Sequence, residues 1–305
     1  MITNTLYLYT ETPLHAGVGS GLSSIDLPIQ RERTTQYPMI QGSGIKGKLR
    51  AAIEGNRDDL TPEKRDMVDI VFGPPSSTGT GSDHAGALIA GDARILLFPV
   101  RSLNGVFAYT TSYDVLSRFK RDIEREQTST KIDWTIPTPA DGKVLVTQNS
   151  EVDSNDTIVL EEFSFDTQAD EQADGPVYKI ADWIAKNALP NLGADYWPDK
   201  ARTSLAILPN DVFRDFALYA TEVITRVRID RGKKTVERGA LWTEEHLPTD
   251  TLLYVPLYAT KARKKNSQVT EQQVLGQIKT LDNKCLQLGG DETVGRGLVR
   301  VHLGS

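Results

Sequence analysis

Gly42-Ser43-Gly44-Ile45-Lys46-Gly47-Lys48-Leu49-Arg50 combines three glycines with three cations, the residue types that hold phosphate. Ile45, Leu49 and Ile53 recur every four residues, so one apolar stripe predicts a helix beginning near Ile45 behind a glycine turn. Such a junction aims unpaired backbone N–H groups and the positive end of the helix dipole at whatever lies in front. Lys46, Lys48 and Arg50 add mobile positive charge at the same place.

Three phosphate chemistries compete for this stretch. Gly42, Gly44 and Gly47 satisfy the dinucleotide pattern G-x-G-x-x-G, but that fold normally begins with the motif strand, and here a strand and a long loop come first. The spacing from Gly42 to Lys48 also fits G-x-x-x-x-G-K, yet Leu49 stands where a magnesium-binding hydroxyl belongs, which argues against a nucleotide hydrolase. A cradle for a polynucleotide backbone requires neither the hydroxyl nor a dinucleotide pocket, only repeated phosphate contacts. A glycine corner packed on a sheet beside a solvated basic helix face is the plain structural alternative.

The elements around the stretch must come from 305 residues, enough for one large domain or two smaller ones. Hydrophobic residues make up 39% and charged residues 25%, and no apolar run approaches membrane-spanning length. The start of the sequence shows no charged segment followed by an apolar one, so a cytoplasmic protein without a membrane partner is expected. Cys285 is the only cysteine, which excludes an internal disulfide and a thiolate metal cluster. The net charge of −6 opposes nucleic-acid binding if taken globally. It is uneven: residues 144–178 hold nine acids and no Lys or Arg, leaving the other 270 residues at +3. Residues 31–50 carry five bases against one acid, and 226–238 six against two, so local fields suit a polyanion.

Thr3–Thr10 reads as a half-buried strand, followed by a breaker-rich loop from Thr12 to Pro28. Thr61-Pro62 caps a helix ending near Gly73, and Pro74–Gly86 is a Gly/Ser/Thr-rich loop. Ala87–Pro99 and Val106–Thr111 read as strands, Tyr113–Glu126 as a helix, and Ile158–Phe165 as a single strand within the acidic segment. Tyr178–Leu189 and Asn210–Tyr219 look helical, the second capped by Asn210. Glu222–Ile229 alternates, and Val236–Thr243 returns against it across Arg231-Gly232-Lys233-Lys234 as a basic hairpin. Thr251–Thr260 is a strand, Thr270–Leu281 a helix and Val299–Leu303 a last strand. Strands and helices mixed without regular βαβ units favour an α+β fold on an antiparallel sheet. Leu288–Gly297 supplies a second glycine-rich basic loop.

Four blocks together resemble one family: Asp26-Leu27-Pro28-Ile29-Gln30-Arg31-Glu32, Ile40–Gly47, Gly239-Ala240-Leu241-Trp242-Thr243-Glu244-Glu245 and Gly289–Gly297. The family is that of the fourth Cmr subunit, the backbone RAMP proteins of type III-B CRISPR effectors, and the likeness spans the whole chain. It implies an RRM-like, ferredoxin-like antiparallel palm with a projecting β-hairpin thumb. Residues 1–305 would then be a single RAMP domain, with 12–36 a flexible catalytic loop, 130–177 an inserted acidic region and 222–247 the basic thumb. The resemblance further implies a filament of copies on a guide crRNA, cutting the paired target RNA at regular intervals. The partners it implies are the large polymerase-like subunit, the small helical subunit and the RAMP subunits that cap the guide ends. A divalent cation, Mg or Mn, is implied as cofactor.

RNA can be cut by its own 2′-hydroxyl, so such an enzyme chiefly positions the strand and moves protons. Asp26, on its glycine-rich loop, can approach a phosphodiester and accept a proton or hold the cation, and the resemblance makes it the residue on which cleavage depends. The alternative for Asp26 is a turn residue before Pro28. His15 has the chemistry of an acid or base, although a lone loop histidine is often a surface residue. Glu244 is a further candidate acid or metal ligand, or else a solvated strand end, and His246 stands where the family often has a tyrosine. Arg31, Arg33, Ser43, Lys46, Lys48 and Arg50 would contact guide phosphates, with Gly295 and Arg296 as a second contact. A non-catalytic RNA-binding scaffold and a P-loop-like hydrolase are the alternatives to an endoribonuclease.

Overall fold

The computed structural model is described for residues 1–21, 25–75, 83–125, 132–140, 142–191, 193 and 196–304, apart from the side chain of Arg238. The central strand β1 (Ile2–Thr10) is buried from Thr5 to Thr10. It lies antiparallel between β12 (Leu252–Ala259), with Leu6 opposite Val255, and β14 (Leu298–Leu303), with Leu8 opposite Val301. Most of the aromatic and aliphatic residues of these strands are buried on both faces, Leu298 at the start of β14 being exposed, and helices cover the sheet.

From β14 the sheet continues to β13 (Cys285–Gln287) at one edge. In the other direction it runs through β12, β4 (Ala93–Arg101), β5 (Phe107–Ser112), β9 (Leu205–Leu208), β6 (Val144–Val146), β8 (Phe163–Ala169) and β7 (Thr157–Leu160). Two short strands lie off this path, β2 (Met39–Ile40) on β4 and β3 (Leu88–Ala90) on β12. The α+β expectation holds, with a refinement: β5 with β9 and β6 with β8 are parallel pairs in a sheet expected to be antiparallel. The acidic segment expected as an insertion over 130–177 contributes β6, β7 and β8 to this same sheet; residues 130, 131 and 141 lie outside the described residues. In the Pro74–Gly86 loop, 76–82 also lie outside them, as do 22–24 of the 12–36 loop.

Seven α-helices are described. α1 (Gly42–Glu54) and α2 (Pro62–Phe72) pack together; Thr61 caps α2 by accepting the Lys64 N–H. α3 (Tyr113–Ile123) is capped by Ser112, and α7 (Glu271–Lys279) opens on a capping box between Thr270 and Gln273. α4 (Pro176–Asn187), α5 (Tyr196–Ser204) and α6 (Asn210–Tyr219) complete the set. No helix among the described residues is long and apolar enough to cross a membrane.

Several local expectations fail for identifiable reasons. The strand expected over Ala87–Pro99 breaks at Gly91, whose N–H donates to the Pro256 carbonyl at 2.8 Å and diverts the chain. Ile158–Phe165 is a hairpin rather than one strand, because Glu161 turns the chain at φ 51°. Asn210 does not cap α6: Pro209 occupies that position, and the Asn210 Oδ1 accepts the Asp114 N–H at 3.1 Å.

Candidate nucleic-acid interface

β10 (Glu222–Ile229) and β11 (Val236–His246) form a separate two-stranded antiparallel sheet, and the base of β11 organises the candidate site. Strand alternation sends Thr243 and Glu245 to one face and Trp242, Glu244 and His246 to the other. The free edge of β11 is taken by the 12–36 loop. Leu27 bridges in parallel beside Glu244, and Leu14 bridges antiparallel to Leu247. A loop expected to be flexible is therefore fastened to β11 at two points.

On the first face Asp26 is anchored to Thr243: its Oδ2 accepts the Thr243 N–H at 2.8 Å and the Thr243 hydroxyl at 3.0 Å. The residue is exposed, and among the described residues its second oxygen has no hydrogen-bond partner. Beside it the buried Glu245 accepts the Ile29 N–H at 3.0 Å and the Thr221 hydroxyl at 2.8 Å, and pairs with Arg31. Arg31 is only 11% exposed and also donates to the carbonyls of Gln36 and Ala217. It is a structural cation, not the phosphate contact expected from its place in a basic run.

The other face carries an ionic cluster. Glu244 is buried, with Oε2 accepting from Arg226 Nε at 2.8 Å and Oε1 from Trp242 Nε1 at 2.7 Å. Arg226 also donates from Nη2 to Asp291 Oδ2 at 3.1 Å, joining β10 to the glycine-rich tail loop. Glu244 is thus no solvated strand end. Burial works to raise the Asp291 carboxyl, but its contact with Glu244 and the charge of Arg226 outweigh it and hold Asp291 below the usual carboxylate range. Hydrogen bonding to Glu244 drives the Arg226 guanidinium further up. Burial, then the neighbouring His15, pushes the His246 imidazole down.

His15 hangs from the same strand. Its Nδ1 lies 2.7 Å from the Glu245 carbonyl, which can only accept, so Nδ1 is the donor of that hydrogen bond. Its ring lies 5.3 Å from that of His246. Thr243 and Glu245 are two residues apart, so Asp26 and His15 are anchored about 7 Å apart along the strand. Two glycines admit this geometry. A Cβ on Gly17 would lie 2.5 Å from His15 Nε2, and one on Gly289, at φ +73°, would lie 2.2 Å from the His15 carbonyl oxygen.

The glycine stretch differs from its expectation. α1 starts at Gly42, not near Ile45, so Gly44 and Gly47 lie inside the helix. Gly42 is packed on the sheet, where a Cβ would lie 2.5 Å from the Ala90 carbonyl oxygen, and its N–H donates to Asp92 Oδ1 at 2.8 Å. A carboxylate thus sits where a nucleotide phosphate would, which removes both the P-loop and the dinucleotide alternatives. Gly44 and Gly47 are exposed, with open space where a Cβ would stand. With His15, Gly17, Gln30, Lys48, Gly289 and Gly290 they line a groove of about 400 Å³.

The remaining cations divide. Lys46 forms no ion pair among the described residues, and its ammonium is pushed down by burial and then by the charges of Arg263 and Arg50, so an anion there would be welcome. Lys48 reaches Gln287 Oε1 at 3.4 Å on the groove wall. Arg50, expected on phosphate, is instead held by Glu54 at 2.9 Å, the Gly73 carbonyl at 2.8 Å and Asp69 at 3.3 Å. Arg33 and Ser43 are exposed, as is Gly295, which adopts φ +76°. The half-buried Arg296 lies close enough to Glu222 and His246 to influence both.

Sequence inspection gave no role to Thr243, Glu245 or Asp291. A signal existed in Glu244-Glu245-His246: three polar residues running into a buried strand must each find partners on alternate faces. For a divalent cation, Asp26 offers one carboxylate oxygen that is unpaired among the described residues, so RNA phosphate and water would have to complete the shell.

A family model described as RAMP superfamily matches residues 7–300. The chain is 40% identical over 296 residues to the CRISPR system Cmr endoribonuclease Cmr4 of Pyrococcus furiosus, covering 97% of this chain and 94% of that protein. The crystal structure of oligomeric Cmr4 from Pyrococcus furiosus superposes with a TM-score of 0.74 at 32% identity, over 100% of this chain and 98% of that one. A chain of the type III-B Cmr-beta complex bound to cognate target RNA shares the fold, with a TM-score of 0.73 at 22% identity, over 99% and 97% of the two chains.

Proposed function

The chain belongs to the RAMP superfamily, and we propose that it is the backbone subunit and endoribonuclease of a type III-B CRISPR effector. It binds guide crRNA beside further copies of itself and the other Cmr subunits, and cleaves the complementary target RNA at regular intervals. Its 40% identity to a Pyrococcus Cmr endoribonuclease along nearly the whole chain supports the activity, and likeness to an oligomeric relative supports the stacking. The cytoplasm, where guide and target meet, is its compartment.

The observation that carries the chemistry is the hanging of Asp26 and His15 from one strand, at Thr243 and at the Glu245 carbonyl. In this assignment the glycine face of α1, with Lys46 and Lys48, holds the guide backbone without reading bases. The free oxygen of Asp26 meets the target phosphodiester, and His15 Nε2 is placed to take or return a proton. Glu244 acts from beneath, fixing the strand that carries both. A Mg or Mn ion, when bound, would neutralise charge developing on the phosphate, with Asp26 as its protein ligand.

Asp26→Ala in the complex reconstituted with guide RNA tests the assignment: target cleavage is lost while assembly and target binding persist. Unchanged cleavage overturns it. A specific observation favours the non-catalytic scaffold alternative, since the Thr243 contacts by themselves give Asp26 a docking role; separating the two roles requires Asp26→Asn.

A further inference from the structure

Beneath Asp26 lies a second cluster of potential ligands that the cleavage chemistry does not use. Glu244, His246 and Asp291 each present a ligand atom, and these atoms lie within 4.8 Å of one another. His246 is fully buried, and among the described residues neither ring nitrogen makes a hydrogen bond. Its Nε2 points into the cluster, 3.5 Å from Asp291 Oδ2 and 4.0 Å from Glu244 Oε2. A buried imidazole nitrogen held at 3.5 Å from a carboxylate, beyond good hydrogen-bond distance, is costly, and an ion seated between them would satisfy Nε2.

We infer that Glu244, His246 and Asp291 bind a divalent transition-metal ion, Mn²⁺ or Zn²⁺, which clips the glycine-rich tail loop to the base of β11. Ligand atoms around such an ion stand about 3.3 Å apart when metal–ligand bonds are near 2.0–2.1 Å. His246 Nε2 already stands 3.5 and 4.0 Å from the two carboxylate oxygens, and with all three ligand atoms within 4.8 Å of one another the carboxylates need draw in by at most about 1.5 Å. One nitrogen with two carboxylate oxygens suits Mn²⁺ or Zn²⁺ better than Mg²⁺ or Ca²⁺, which prefer oxygen alone. Arg226 does not block the site, because each carboxylate oxygen has two lone pairs and can keep its guanidinium hydrogen bond while ligating the ion. Two carboxylates and one guanidinium leave the cluster at −1, and the ion brings it to +1 beside a groove meant for phosphates. Asp291 opens the short turn that leads to Gly295 and Arg296, so the clip fixes that turn against the strand. The ion is structural, separate from any at Asp26, and its binding does not depend on the proposed function.

The test is titration of the purified full-length chain with MnCl₂ and with ZnSO₄ by calorimetry, comparing wild type with His246→Phe, Asp291→Asn and Asp26→Asn. Wild type and Asp26→Asn should bind one equivalent, and the other two at least about tenfold more weakly. Mn²⁺-loaded wild type should also show electron spin-echo modulation from a directly bound imidazole nitrogen, a readout independent of whether a variant folds. Absence of tight binding, equal binding by His246→Phe, loss of binding in Asp26→Asn, or no nitrogen modulation would each overturn the site.

Discussion

Asp26 and Thr243 are bonded in both directions. The Asp26 carboxylate accepts the Thr243 N–H at 2.8 Å and the hydroxyl at 3.0 Å, while the Asp26 N–H donates to that hydroxyl at 3.0 Å. The contact ties a loop near the start of the chain to a strand more than two hundred residues later, and it separates two roles for one carboxylate. Asparagine keeps an acceptor for Thr243 but removes the charge. If the carboxylate does chemistry, Asp26→Asn lowers target cleavage by about 10²- to 10⁴-fold with assembly unchanged. Thr243→Ala retains the charge but loosens its aim, and should fall between wild type and Asp26→Asn. Near-normal cleavage by Asp26→Asn would leave only the docking role.

Gly44 and Gly47 allow a prediction with opposite signs for stability and binding. Both lie exposed inside α1, where alanine would raise helix stability by about 0.5–1 kcal/mol each. The space of the missing side chains is open, and under the proposed function this face takes the guide backbone. The double alanine variant should melt at a higher temperature yet bind guide RNA more weakly in a filter assay. Undiminished binding would remove this helix face from the RNA path.

Gly289 predicts the reverse for stability. At φ +73° and with the His15 carbonyl 2.2 Å from a Cβ, Gly289→Ala forces backbone to move. The expected penalty is about 1–3 kcal/mol in urea unfolding, with cleavage reduced through a displaced His15. Unchanged unfolding and activity would mean the tail loop yields freely.

Most of the fold was legible in the sequence, because long amphipathic stretches and a capping residue such as Thr61 act locally. What escaped depended on distant partners. Arg31 and Arg50 read as cations for phosphate because sequence does not reveal that Glu245, 214 positions away, or Asp69 already claims them. Gly42 read as half of a phosphate turn because Asp92, which occupies its N–H, is 50 positions away and meets it only once β2 pairs with β4. Thr243 and Asp291 lay within the family blocks, yet their work comes from tertiary pairing that no local pattern encodes.

Glu32 gives a pH dependence. Its carboxylate faces Arg118, with bonds at 2.6 and 2.9 Å, and fastens the segment after Arg31 to α3. Burial alone would raise the Glu32 carboxyl, but hydrogen bonds from Arg118 and Thr35 outweigh it and leave the carboxyl below the usual glutamate range. A group whose folded value lies below its unfolded one stabilises fully above the unfolded value and loses that contribution as pH falls through the folded one. Urea unfolding should therefore show wild type more stable than Glu32→Gln at neutral pH, the gap closing in acid. A gap independent of pH would mean the ion pair contributes nothing beyond packing.

Arg31 and Lys48, both in the basic run after the loop, should separate cleanly. Arg31 is paired with a buried carboxylate, and truncating one member of such a pair strands the other, so Arg31→Ala should lose about 3–5 kcal/mol in urea unfolding. Among the described residues Lys48 has only Gln287 at 3.4 Å, and it lies on the groove wall, so Lys48→Ala should leave unfolding nearly unchanged. If it neutralises one guide phosphate, its loss should weaken RNA binding uniformly across sequences. It should also make the slope of log K against log salt shallower by about 0.7, the value for one contact to a single strand. A salt slope equal to wild type would take Lys48 off the phosphate backbone, and a stable Arg31→Ala with a shallower slope would exchange the roles given to the two cations.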